Sequence, residues 1–118
     1  MHEMGIVFHV MDMVEDVAEE NELSKVISVT LQLGEVSGVI FSYMADLWEW
    51  CAAKKPLFAG SVLKSEEIHA VTICNACGKT YDTVPQGRIC PYCGSEDTVL
   101  VTGNEVLIKE VEIGRAHV

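Results

Sequence analysis

The sequence is short of positive charge. Eight lysines and arginines face 18 aspartates and glutamates, so the 118-residue chain carries a formal charge of −10. Nucleic-acid binding needs a positive field to displace counterions, and that field is missing. A basic surface for anionic lipid is missing too. Aromatic residues make up only 7%. No apolar run approaches the roughly 20 residues of a membrane span. The N-terminal stretch Met1-His2-Glu3-Met4 lacks a basic segment, and acidic residues recur soon after it, so no signal peptide is expected. No nucleophile–base pair, phosphate loop or open catalytic metal site can be read, and an enzyme is not expected. The expected location is the cytoplasm. A chain of this charge suits metal cations or a basic partner.

Apolar residues are plentiful, at 49%. Their spacing predicts the elements. Val7, Val10, Met11, Val14, Val17 and Ala18 recur at helical steps from Glu3 to about Glu20, with His9, Asp12, Asp16 and Glu20 opposite. Ile27, Val29, Leu31 and Leu33 alternate with Ser28, Thr30 and Gln32, the period-two pattern of a half-buried strand. Gly34-Glu35-Val36-Ser37-Gly38 reads as a loop. A second helix runs from Phe41 or Ser42 to Ala53, with Met44, Leu47, Trp48 and Cys51 as its apolar stripe and Pro56 beyond its end. Ser61 to Thr72 is expected as one strand with a possible bulge near Ser65-Glu66-Glu67. Glu105 to Ile113 is expected as the last strand. The fold class is therefore α+β: two helices on a three-stranded sheet, interrupted by an inserted zinc-ribbon-like domain at 73–103. Residues 1–72 and 104–118 form the discontinuous remainder. The insert is too short to bury a core of its own and needs a metal to hold it.

Five cysteines are present, and four lie in the insert. Cys74-Asn-Ala-Cys77-Gly78 and Cys90-Pro-Tyr-Cys93-Gly94 are separated so that twelve residues, 78–89, lie between the two pairs. Two intervening residues let both sulfurs of a pair converge on one ion. The following glycine permits a tight turn whose amides point at the sulfurs. In a reducing compartment such pairs are metal ligands or redox centres before they are disulfides. Four thiolates make a closed tetrahedral site that suits Zn(II). Iron competes for the same geometry, because the two loops resemble those of rubredoxin. The short gap and the lack of aromatics beyond Tyr81 and Tyr92 count against it.

His2 offers a second site. The α-amine of Met1, the amide nitrogen and imidazole of His2, and the amide of Glu3 can close adjoining chelate rings. An all-nitrogen planar set favours Ni(II) or Cu(II). A solvated second-position histidine is the plain alternative. The other residues read more simply. His9 reads as a solvated helix histidine, His69 as a strand-edge one, and His117 lies near a frayed end. Cys51, Met4 and Met11 read as core. Trp50 lies off the apolar stripe, and Glu35 reads as a solvated or partner-contacting loop residue.

Taken together, Met1-His2-Glu3 at the first helix, Gly34-Glu35-Val36-Ser37, the paired Cys-x-x-Cys insert, and Gly103-Asn104-Glu105-Val106 leading to Val111-Glu112-Ile113 resemble the HypA/HybF family over essentially the full length. These are nickel-insertion accessory proteins for [NiFe]-hydrogenase maturation. The resemblance implies Ni(II) at Met1, His2 and Glu3, and Zn(II) at Cys74, Cys77, Cys90 and Cys93. It implies a HypB-type GTPase and the [NiFe]-hydrogenase large-subunit precursor as partners. The tail Gly114-Arg115-Ala116-His117-Val118 matches no motif of that family. A zinc-ribbon adaptor without a nickel role and a rubredoxin-like electron carrier are the other functions the residues allow.

Overall fold

The computed structural model describes residues 3–114. Met1, His2 and His117 lie outside the described residues. The element order is α1 (Glu3–Glu20), β1 (Lys25–Gly34), α2 (Phe41–Ala52), a 3-10 turn (Pro56–Phe58), β2 (Val62–Ile68), β3 (Val71–Cys74), β4 (Thr80–Asp82), a one-turn α3 (Thr83–Gln86), β5 (Thr98–Thr102) and β6 (Val106–Gly114). The strands form two sheets, ordered β2-β1-β6 and β4-β3-β5. The α+β class and the three-stranded sheet interrupted by a cysteine-bearing insert are both present.

The chain divides into two units. One comprises the described residues up to 31, 39–66 and those from 108 onward. Its core is apolar. Val7, Val10, Met11, Val14 and Ala18 of α1 are buried, as are Met44, Trp48, Cys51 and Ala52 of α2. These are helical steps, so each helix buries one stripe. Val17 and Met4 do not join it. They are about half exposed: Met4 shares the helical spacing of Val7, Met11, Val14 and Ala18 but lies in the first turn of α1, and Val17 lies at the edge of the stripe. Trp48 meets Phe58 edge to face at 5.4 Å, and its indole N–H donates to Ser61 Oγ at 2.9 Å. The ring is thus buried without leaving its polar atom unpaired. Lys55 and Glu15 form an ion pair from the end of α2 to α1.

Strand β1 departs from simple alternation. Val26, Ser28 and Thr30 are buried along with Val29, Leu31 and Leu33, whereas Ile27 is 40% exposed. From Ser28 to Leu31 four successive residues are buried, so both faces of the strand are covered there. Alternation marks only a strand with one wet face. β6 lies at the sheet edge, with no fully buried residue.

The second unit comprises residues 32–38 and 67–107, and the cysteine pairs fall within it. Here the expected single strand from Ser61 to Thr72 is two strands. β2 ends at Ile68 and β3 begins at Val71. The break has a chemical cause: the N–H of Ala70 donates to the Glu35 carboxylate at 2.9 Å instead of joining a ladder. β3 then pairs antiparallel with β4 and β5, and a bulge interrupts its register with β5 between Val71 and Thr72. Two glycines let backbones touch. A Cβ on Gly34 would lie 2.1 Å from the Gly103 carbonyl, and one on Gly103, whose φ is +112°, would lie 2.5 Å from Ala70. Gly34 N–H donates to Glu105 and Val36 N–H to Gly103 across this contact, at 2.7 and 2.8 Å.

Candidate metal centre

The four cysteines of the insert come from two turns built alike. In the first, Cys74 N–H donates to Lys79 C=O and Gly78 N–H to Cys74 C=O. In the second, Cys90 N–H donates to Ser95 C=O and Gly94 N–H to Cys90 C=O. Gly78 and Gly94 both have φ near +77°, a conformation that glycine adopts without steric cost. The glycine after each pair is therefore a geometric requirement of the turn.

These turns bring the sulfurs of Cys74, Cys77, Cys90 and Cys93 within 4.8 Å of one another. Cys74 and Cys93 Sγ are 3.5 Å apart, and Cys77 and Cys90 Sγ are 3.7 Å apart. Four sulfurs at about 2.3 Å from a tetrahedral ion would lie about 3.8 Å from each other. The cluster is therefore the size of a tetrahedral zinc site. It is also lopsided: Cys74 and Cys90 are buried, whereas Cys77 and Cys93 are exposed. Beneath the buried pair sits Tyr81, in one apolar cluster with Cys74 and Cys90. Its hydroxyl donates to Gly87 C=O at 2.9 Å.

The thiols of the cluster do not titrate alike. Desolvation works against the Cys90 thiolate, yet the N–H groups of Tyr92 and Cys93 and the adjoining thiols hold its pKa at about 7. Tyr92 N–H lies 3.4 Å from that sulfur. For Cys93 the N–H of Ser95 favours the thiolate, but the thiols of Cys74, Cys90 and Cys77 and desolvation push it up to about 12. A divalent cation at this cluster would favour the thiolate form, since metal ligation requires it.

The other candidate residues separate clearly. Cys51 is buried in α2 as a core residue, and Met11 is fully buried. His9 is exposed on α1. Trp50 is 56% exposed, with Lys54 Nζ 3.3 Å from its ring centroid. The Glu3 carboxylate accepts the N–H of Ile40, the N-cap residue of α2, at 3.2 Å. Glu35 has partners within the chain. Its carboxylate accepts Ala70 N–H and lies 3.2 Å from His69 Nδ1. His69 Nε2 lies 2.8 Å from Asp82 Oδ1. This Glu35–His69–Asp82 alignment has no signal in the sequence, because its members come from three separated segments with no common spacing. Among the described residues no helix is long and apolar enough to cross a membrane.

Residues 1–113 match the family described as "HypA: Hydrogenase/urease nickel incorporation, metallochaperone, hypA". The hydrogenase maturation factor HypA of Chlorobium phaeobacteroides is 34% identical over 113 residues, covering 96% of this chain and 99% of its own length. That of Streptomyces avermitilis is 34% identical over 121 residues, covering 99% of this chain and 92% of its own. Among solved structures, the Ni metallochaperone HypA from Helicobacter pylori shares the fold at a TM-score of 0.71 and 20% identity, over 98% of this chain and 100% of that one.

Proposed function

Because the chain belongs to the HypA family of hydrogenase and urease nickel-incorporation metallochaperones, we propose that it binds Ni(II) at Met1, His2 and Glu3 and delivers it for [NiFe]-hydrogenase maturation. The single observation that carries this reading is the family match, which extends over residues 1–113 and so takes in both Met1-His2-Glu3 and the cysteine insert. The amine of Met1, the imidazole and amide of His2, and the amide of Glu3 supply nitrogen donors in adjoining chelate rings, a set that suits Ni(II). The Glu3 carboxylate accepts Ile40 N–H, and the backbone nitrogen of Glu3 is the donor this reading assigns to the ion.

Zn(II) is held by Cys74, Cys77, Cys90 and Cys93 and organises the insert rather than reacting. Four protein ligands leave no open position for a substrate. Nickel is cargo, passed on by ligand exchange with a partner. A HypB-type GTPase and the hydrogenase large-subunit precursor are the partners this reading assigns, in the cytoplasm, with no catalytic role for the chain itself.

The test is a nickel titration of untagged, zinc-loaded protein followed by its d–d absorption band. A planar nitrogen site gives such a band, and acetylating the α-amine abolishes it while zinc content stays constant. The amine and imidazole have ordinary pKa values of roughly 8 and 6.5, so protons displace nickel as pH falls, with release near pH ~6. Unchanged nickel affinity after acetylation places the ligands elsewhere.

A further inference from the structure

His69 stands where several chain segments of the cysteine-bearing unit meet. Its own C=O accepts the Thr102 hydroxyl at 2.9 Å, at the end of β5. The next residue, Ala70, donates its N–H to Glu35 and accepts from Thr83 N–H at 3.1 Å. Glu35 N–H donates to Ile68 C=O at 2.8 Å. The loop after β1, the β2–β3 junction and the end of β4 are thus fastened around one imidazole.

Both nitrogens of that imidazole face carboxylate oxygens: Nδ1 faces Glu35 Oε1 at 3.2 Å, and Nε2 faces Asp82 Oδ1 at 2.8 Å. A neutral imidazole has one N–H and one lone pair, so it can donate to only one of them. Its lone pair would then point at the other carboxylate. The hydrogen bond is the one between Nε2 and Asp82, whereas Nδ1 and Glu35 stand at ion-pair distance; only the imidazolium places a positive charge between the two carboxylates and removes the opposed lone pair. From this geometry we infer that His69 is a proton-operated latch, which fastens the Glu35 loop to β3 and β4 when protonated and loosens it when neutral.

The electrostatic setting agrees. The hydrogen bond to Asp82 raises the His69 pKa above its ordinary value. Desolvation opposes the rise, and the charges of Asp82, Glu35 and Glu67 add to it. Asp82 faces His69 from β4, Glu35 from the loop after β1, and Glu67 from β2. Because the folded-state value lies above the unfolded one, the latch is fully engaged below the unfolded value, roughly 6.5. It is lost as pH rises through the folded value. His69 is not among the converging ligand atoms of the cluster, so the latch shares no ligand with the metal site.

The experiment is a pH series on zinc-loaded, full-length protein. It reads nitrogen-15 spectra of the imidazoles and hydrogen-exchange protection of the Glu35, Val36 and Ala70 amides. The expected result is a His69 ring doubly protonated to above pH ~6.5, with both nitrogens titrating together. On deprotonation the protection of those three amides falls about tenfold, while that of Cys74 is unchanged. His69→Gln, which cannot be protonated, shows low protection at every pH and no step. Asp82→Asn moves the His69 titration to lower pH. A His69 that titrates at or below the ordinary value overturns the latch. So does a protection step that survives in His69→Gln, or a titration unmoved in Asp82→Asn.

Discussion

The two units of this chain are held by different physics. The unit built on α1, α2 and β1 buries large apolar side chains: Trp48, Phe58, Met11, Leu31 and Met44 are all under 2% exposed. The cysteine-bearing unit buries few. Leu33, Ala70 and Tyr81 join two cysteines as its buried nonpolar residues, while Val99, Leu100 and Val101 of β5 stay exposed. Its order comes from turns, side-chain-to-backbone hydrogen bonds and four convergent sulfurs. Apolar burial stabilises by about 25 cal/mol per Å², so a unit with so little of it depends on ligation for its fold. One unit is thus a product of hydrophobic collapse, and the other is a scaffold completed by an ion.

The sharpest way to break that comparison is to remove a sulfur. Cys90→Ser takes away a buried ligand. It is expected to abolish stoichiometric zinc and unfold roughly residues 73–103, with amide spectra of the helical unit largely unchanged. Zinc retained at one equivalent would show that the four-thiolate assignment is wrong. The converse change is Trp48→Ala, which leaves a cavity beside Phe58 and an unpaired Ser61 hydroxyl. A loss of about 3–5 kcal/mol is expected in denaturant unfolding, with zinc content intact while the protein is folded. Equal loss of zinc and helical order in both variants would mean that the units fold as one.

A smaller effect sharpens the comparison within the metal-bearing unit. Gly103→Ala places a methyl against Ala70 at a φ of +112°. A destabilisation of about 1–3 kcal/mol is expected from the strained backbone, read as lowered amide protection at Val36 and Ala70. The smallest effect belongs to the ion pair of Lys55 and Glu15. The hydrogen bond to Glu15 raises the Lys55 pKa, but the pair is over a third exposed. Lys55→Met is expected to cost under about 1 kcal/mol, less still in high salt. A larger loss in a thermal melt would show that this contact supports the helix packing.

The same contrast explains what could be read before the structure was known. α1 and α2 were legible because Val7, Val10, Met11 and Val14, and likewise Met44, Trp48 and Cys51, repeat at the period of a helix that buries one stripe. The cysteine cluster was legible because its chemistry is local: two residues between thiols and a glycine after each pair. Features that depend on long-range hydrogen bonds were not. Nothing at Ala70 announces a strand break, since the cause is a carboxylate 35 residues away. Alternation groups Ile27 with Val29, Leu31 and Leu33, but that face of β1 is open at Ile27 and covered further along the strand. Glu35 lies in a loop, and its hydrogen bond to Ala70 and its contact with His69 carry no periodic signature.

The lopsided burial of the sulfurs bears on kinetics as well as stability. Cys74 and Cys90 are closed off, while Cys77 and Cys93 face solvent. An ion bound by all four is therefore open to attack on one side only. A chelator or competing thiol must approach past Cys77 and Cys93, displacing those two before the inner pair can let go. Metal exchange would then follow an associative route, whose rate rises with the concentration of the incoming ligand rather than waiting on spontaneous release.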